Sequence, residues 1–170
     1  VVNEIAVALG LADDKVVVVP GNHDRFFWHM GVGHAIRFRF EHYFQRWNLP
    51  RIVQVRELRV LLYPFDSTYG VRVWPFTSSA GRISRAEMRK FRGAMDKYAG
   101  KYDVMIVVLH HHPLPVPTHD LNSWTCMRNG GAFMSAMSRS GIDLVLHGHE
   151  HCSYGCRVNY GNDLKDCVVV

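Results

Sequence analysis

An α/β fold is what this 170-residue sequence predicts, and three observations predict it. Short runs of branched apolar residues recur at 16–19, 103–109 and 142–146, each too uniformly apolar for a strand with one wet face. Segments with helical spacing and recognisable caps lie between them. Strand and helix therefore alternate, with hairpin strands added after Cys152.

In chain order, residues 3–11 carry Ile5, Val7, Ala8 and Leu9 with Gly10 behind them, which suits the end of a helix packing on a sheet. The run 16–19 reads as a strand buried on both faces, stopped by Pro20-Gly21 at a turn that carries Asn22, His23 and Asp24. Ile36, Phe40, Tyr43, Phe44 and Trp47 fall on one face of a helix over 34–47. Ile52-Val53 and 58–63 read as one or two strands, and 64–79 as a loop punctuated by Pro and Ser. Ser84 with Glu87 forms a capping box, opening a helix that runs to about Ala99 and stops at Gly100.

The run 103–109 is a strand that delivers His110, His111 and His112, after which Pro113, Pro115 and Pro117 keep the next loop out of helix. A short helix over 131–140, capped by Gly141, leads to the strand 142–146. That strand delivers His147-Gly148-His149-Glu150-His151. Then come a strand to Tyr160, a turn at Gly161-Asn162-Asp163 and a strand over 164–170. There is no internal repeat and no low-complexity segment.

With 48% hydrophobic residues, residues 1–170 can bury the core of a single domain. No run approaches the roughly 18 apolar residues of a membrane-spanning helix. The formal charge of +5, with eleven histidines uncounted, suits anionic partners such as phosphate esters or nucleic acid. Arg82, Arg85, Arg89, Lys90 and Arg92 read as the solvated face of one helix rather than a binding patch. Cys126, Cys152, Cys156 and Cys167 are too few and too uneven for a disulfide framework, and the Cys152/Cys156 pair lacks the second pair of a structural zinc site. Reduced thiols of a cytoplasmic protein are expected. The first residues offer neither Met nor a basic leader and read as the middle of a longer protein.

The chemistry sits at three strand ends. Ligands bind beyond the carboxyl ends of strands in open α/β sheets, and neighbouring parallel strands end about 4.8 Å apart, so side chains from all three can converge. A single histidine in such a place is by default a hydrogen-bonded structural residue; three clusters change the reading. Asn22 offers an amide oxygen, His23 an imidazole that titrates near neutrality, and Asp24 a carboxylate able to hold that imidazole in one tautomer. Imidazole with amide or carboxylate oxygen suits Zn, Mn, Fe or Ni, and no cysteine falls inside the clusters. His149 and His151, two apart on an extended loop, can reach two metals or two positions on one. His110, His112 and His147 read as supports that hydrogen-bond the ligand imidazoles. His29, His34, His42 and His119 read as surface or loop positions, His119 on a loop that can face substrate.

Gly21-Asn22-His23-Asp24, His111-His112-Pro113 and Gly148-His149-Glu150-His151 resemble, in order and strand context, three of the five signature blocks of the calcineurin-like metallophosphoesterase superfamily. The surrounding text resembles most closely the bacterial class III cyclic nucleotide phosphodiesterases. The resemblance implies a layered β-sandwich flanked by helices and a phosphodiesterase using two divalent metal ions. Asn22, His111 and His149 would hold the second ion, His111 being chosen because it stands two positions before the proline, and His151 would belong to the first. His23 would be the general acid, held by Asp24, and the substrate a small phosphoester such as a cyclic nucleotide. Phosphoester cleavage needs a charge clamp, an activated water and a proton for the leaving oxygen, and those roles provide them.

The family's first two blocks, Asp-x-His and Gly-Asp, occur nowhere in this sequence. One expectation is therefore an incomplete domain, lacking its N-terminal metal-binding blocks and its C-terminal end, that binds at most one ion tightly and hydrolyses little. Another is a catalytically inactive binding module on the same fold. A third is a nuclease of the superfamily, which would need a basic groove studded with aromatic residues; the sequence shows no such interleaving, and a nucleic-acid partner is disfavoured. Substrate and oligomeric state are set by features the motifs do not contain.

Overall fold

Branched and leucine-rich sequence on either side of Arg56 folds back as an antiparallel hairpin of β1 (Arg51–Val55) and β2 (Leu58–Pro64). Arg56 makes the reversal with a φ of 53°, a left-handed conformation of the kind tight hairpins require. The computed structural model describes residues 2–25, 44–69, 80–116, 125–151, 153–159, 161 and 166–170. In it β2 pairs in parallel with β3 (Val104–Val108), β3 with β4 (Leu144–Leu146), and β4 with β6 (Cys167–Val169). Strand β5 (Cys156–Val158) lies antiparallel to β6, giving a six-stranded mixed sheet in the order β1-β2-β3-β4-β6-β5. The expected α/β fold is observed. All the described strands belong to this one sheet, with an isolated bridge between Thr68 and Arg82 beyond it.

Two helices cover one face. Ser84 Oγ accepts the N–H of Glu87 at 3.0 Å and opens the helix Arg85–Tyr98, behind which Gly100 turns left-handed. The helix Gly130–Arg139 ends in the same way at Gly141. Phe91 of the first helix and Phe133, Met134 and Met137 of the second pack on the sheet face that carries Leu61, Tyr63, Met105, Val107 and Val145. Phe65 joins the two helices, its ring 5.2 Å from that of Phe91 and 5.2 Å from that of Phe133. Such aromatic pairs add about 0.5–1.5 kcal/mol each beyond the area they bury. The opposite face, with Ile106, Val108, Leu144 and Leu146, is only half-buried. The expectation of strands buried on both faces is therefore corrected, because the two helices lie on one side. Arg85, Arg89, Lys90 and Arg92 are exposed on the helix Arg85–Tyr98, while Arg82, expected on the same helix, is exposed before it in the bridge to Thr68.

Residues 16–19 do not form the expected strand. They are half-buried and belong to no strand, and their backbone finds a short 3₁₀ helix instead of a neighbouring strand. The N–H of Val18 donates to the carbonyl of Trp47 at 3.0 Å, and Asn48 Nδ2 donates to the carbonyl of Val18 at 2.7 Å. One residue's pair of bonds does not propagate as a ladder. The helix α1 (Val2–Ala8) forms, with Gly10 left-handed behind it, yet Ile5, Val7 and Leu9 are exposed and do not pack on the sheet as expected. Of the predicted helix over 34–47 only the end is described, as a helical residue at Phe44 and the 3₁₀ turn Gln45–Trp47; the rest lies outside the described residues.

Register is set at the edge opposite the histidines. The carboxylate of Asp103 accepts from the backbone N–H of Arg59 at 2.8 Å and from its guanidinium at 2.6 Å, and that of Asp143 accepts from the N–H of Met105 at 2.9 Å. With the amino ends aligned, the carboxyl ends of β2, β3 and β4 emerge side by side. Backbone bonding continues past them: Phe65 N–H to Val108 at 2.8 Å, Leu109 N–H to Leu146 at 3.0 Å, and Gly148 N–H to His110 at 3.0 Å.

Candidate functional site

The bond from Gly148 to the carbonyl of His110 ties the segment after β4 to the segment after β3, and the rings of His110 and His149 meet edge to face there. His149 adopts a φ of 84° and His151 one of 53°, left-handed conformations that non-glycine residues seldom take and that concentrate at functional sites. The rings of His110, His111 and His149 stand 4.7–4.9 Å apart, centre to centre. One ligand atom from each of the three lies within 4.8 Å of the others.

His111 is the most enclosed of them, with no exposed surface. Ser67 Oγ lies 2.8 Å from its Nδ1 and also accepts its backbone N–H at 3.2 Å. Gly81 presses on the same ring so closely that a Cβ there would stand 2.4 Å from His111 Cγ. His111 Nε2, buried on the side away from Ser67, has no hydrogen-bond partner. A buried nitrogen left in that state costs about 1–3 kcal/mol.

Asn22 begins the short helix Asn22–Arg25 and is buried. Its Oδ1 lies 3.0 Å from His110 Nε2, which also lies 2.9 Å from His149 Nδ1. Gly21 lets the first loop approach this closely: a Cβ there would stand 3.0 Å from His110 Cε1. Asp24 is exposed, and its carboxylate accepts the N–H of Gly21 at 2.8 Å, closing the turn that starts the helix. His23 belongs to that helix, and its side chain lies outside the described residues.

Burial keeps His111, His112 and His147 neutral. Burial, reinforced by His110, His149 and His112, pushes the pKa of His111 down to about 2. Burial likewise lowers His112 to about 4, against the opposing pull of Glu150, and also lowers His147. Neutral imidazole is the form that binds a metal. Three imidazoles beside an amide oxygen, that of His111 neutral and with a buried nitrogen lacking any partner, fit a first-row divalent cation in donor type. Asn22, His110, His111 and His149 are the residues that would hold it.

The structure thus brings Asn22, His111 and His149 of the expected ligands together. It does not bring His151, which is exposed and stands outside the group of three. His110, read from sequence as a support, sits inside the group. Period-two alternation would send His110 and His111 to opposite sides, but residues 110–111 bend after β3 and both rings reach the same point. His112 and His147 stand beside the group, with ring centres 5.9 Å apart, and the bracing expected of them comes from Ser67. Nothing in the Pro- and Ser-punctuated loop marked Ser67 from sequence. Among the described cysteines Cys126, Cys156 and Cys167 form no disulfide, while Cys152, His29, His34, His42 and His119 lie outside the described residues.

Comparison with known proteins adds three findings. The family model for calcineurin-like phosphoesterases matches residues 2–153. No curated protein matches the chain. A crystal structure of a Staphylococcus aureus protein provisionally described as a 5'-nucleotidase aligns with 91% of this chain and 32% of its own, at 15% identity and a TM-score of 0.48. The chain thus spans about a third of that protein's length.

Proposed function

Because the chain belongs to the calcineurin-like phosphoesterase family, a family of metal-dependent phosphoester hydrolases, we propose that its histidine group is the metal-holding part of a phosphodiesterase site. The observation that carries this reading is His111: fully buried, neutral, gripped through Nδ1, and with Nε2 buried beside two further imidazoles and lacking a hydrogen-bond partner.

Asn22, His111 and His149 hold the cation in this reading, with His110 as an added imidazole. A divalent cation bound there supplies positive charge against the phosphoryl oxygens and acidifies a water nucleophile. The chain's own residues do the rest. His23, on the helix that Asn22 begins, donates a proton to the leaving oxygen, and the turn closed by Asp24 and Gly21 sets where that helix starts. His151 would belong to a second cation site whose bridging aspartate and remaining ligands come from the Asp-x-His and Gly-Asp blocks absent from this sequence. The substrate is a small phosphodiester, with a cyclic nucleotide the first to try.

A binding module is the competing reading, and one observation favours it: the group of three contains no carboxylate to bridge two cations. Hydrolysis separates the two. A protein extended upstream with the two missing blocks should cleave bis-p-nitrophenyl phosphate with added Mn or Zn, and lose that activity on His111→Ala. An extended protein that binds metal through His111 and cleaves no phosphodiester would be a binding module.

A further inference from the structure

We propose that Ser67 sets the tautomer of His111, placing the ring proton on Nδ1 so that Nε2 presents its lone pair to a divalent cation. The inference rests on the reading of His111 as a metal ligand.

A neutral imidazole carries one proton, and a serine hydroxyl has one proton to give and two lone pairs to receive. Two arrangements satisfy the 2.8 Å contact between Ser67 Oγ and His111 Nδ1. If the hydroxyl donates, the ring proton must sit on Nε2, which is buried and has no acceptor. If Nδ1–H donates, Ser67 Oγ receives both that proton and the backbone N–H of His111, at 3.2 Å. Both lone pairs are then used by one residue, the Ser67 hydroxyl proton has no acceptor among the described residues, and Nε2 is left as a bare lone pair; a cation held with His110 and His149 decides for this arrangement, because only here can His111 bind it. Metal-bound histidines commonly donate their other N–H to a fixed oxygen, and this geometry provides one.

Ser67 is itself held in place. Its carbonyl accepts the N–H of Arg82 at 2.7 Å, Thr68 bridges to Arg82, and Asp66 Oδ1 accepts the N–H of Thr68 at 2.9 Å. The segment carrying Ser67 and the segment carrying Gly81 are thereby joined on two sides of one ring, so His111 cannot flip to exchange its nitrogens without parting them. Ser67 is a positioning residue that acts through His111.

The test is long-range ¹H–¹⁵N NMR of the histidine rings in the full chain, first freed of metal by chelator and then given stoichiometric zinc. The expected result is that zinc shifts His111 Nε2 while Nδ1 keeps its proton. Ser67→Ala should lower zinc affinity about 10- to 100-fold, read by competition with a chromophoric chelator, in a metal-free protein that still melts cooperatively but at a lower temperature, because the buried His111 N–H groups lose their acceptor. A zinc form whose His111 Nδ1 is unprotonated, or a folded Ser67→Ala that binds zinc as tightly as the parent, would overturn the assignment. If Ser67→Ala does not fold, the parent's spectrum alone decides. If zinc leaves the His111 ring unchanged, the metal-site reading falls first and the inference with it.

Discussion

A Cβ built at Gly81 would stand 2.4 Å from Cγ of His111 and 2.7 Å from its Nδ1. The segment leading into the Arg85–Tyr98 helix touches the ring so closely that only glycine fits. Gly81→Ala should therefore push His111 out of position, costing about 1–3 kcal/mol as an overpacked core change does. Urea denaturation in chelator reads the stability cost, and zinc competition reads the displacement of His111. Unchanged values in both would mean that the wall around His111 gives freely.

Two other glycines make opposite predictions. A Cβ on Gly130 would stand 1.9 Å from the carbonyl oxygen of Pro113, a backbone atom that cannot yield without moving the chain after the histidines. Gly93, within the Arg85–Tyr98 helix, has open space where its Cβ would go. Gly130→Ala should be strongly destabilising, whereas Gly93→Ala should stabilise by roughly 0.5–1 kcal/mol. Thermal melts of the two variants side by side check both signs.

Stability should depend on pH with a definite sign. His111 and His112 have folded pKa values near 2 and 4, below the ordinary 6.5 of an unfolded histidine. As pH falls below 6.5 the unfolded chain takes up protons that the folded chain refuses, so stability is fully present above 6.5 and declines below it. The His112 contribution is exhausted near pH 4, while that of His111 continues to about 2. A fully unmatched proton is worth about 1.4 kcal/mol per pH unit. Urea unfolding of metal-free protein between neutral pH and pH 4 should show this loss, with a shallower slope in His112→Gln; a flat profile would contradict it.

The role proposed for His23 predicts a dependence on the leaving group. In a protein that hydrolyses phosphodiesters, His23→Ala should leave metal content unchanged and slow alkyl esters by about 10²- to 10⁴-fold, because an alkoxide needs its proton. A p-nitrophenyl ester, whose phenolate departs unprotonated, should suffer much less. Asn22→Ala should instead lower metal content and both rates together. Equal slowing of both esters by His23→Ala would make His23 a phosphate-positioning residue.

Much of this was legible in the sequence where local patterns decide. Uniform apolar runs located β3 and β4, Ser84 with Glu87 located a helix start, and the strand-end position of His111 and His149 predicted their meeting. What escaped depends on tertiary partners. Four consecutive valines do not make a strand when the chain beside them is a 3₁₀ turn at Gln45–Trp47. His110 entered the group because the chain bends after β3, and Ser67 reached His111 from 44 residues away through a loop with no periodic signal.

The most direct test of the central claim is calorimetric titration of the chelator-stripped chain with zinc, for the parent beside His111→Ala and His149→Ala. The account predicts one tight zinc in the parent and an affinity at least about tenfold weaker in each variant. Equal zinc uptake by the parent and by His111→Ala would contradict it, since the ion would then be held elsewhere.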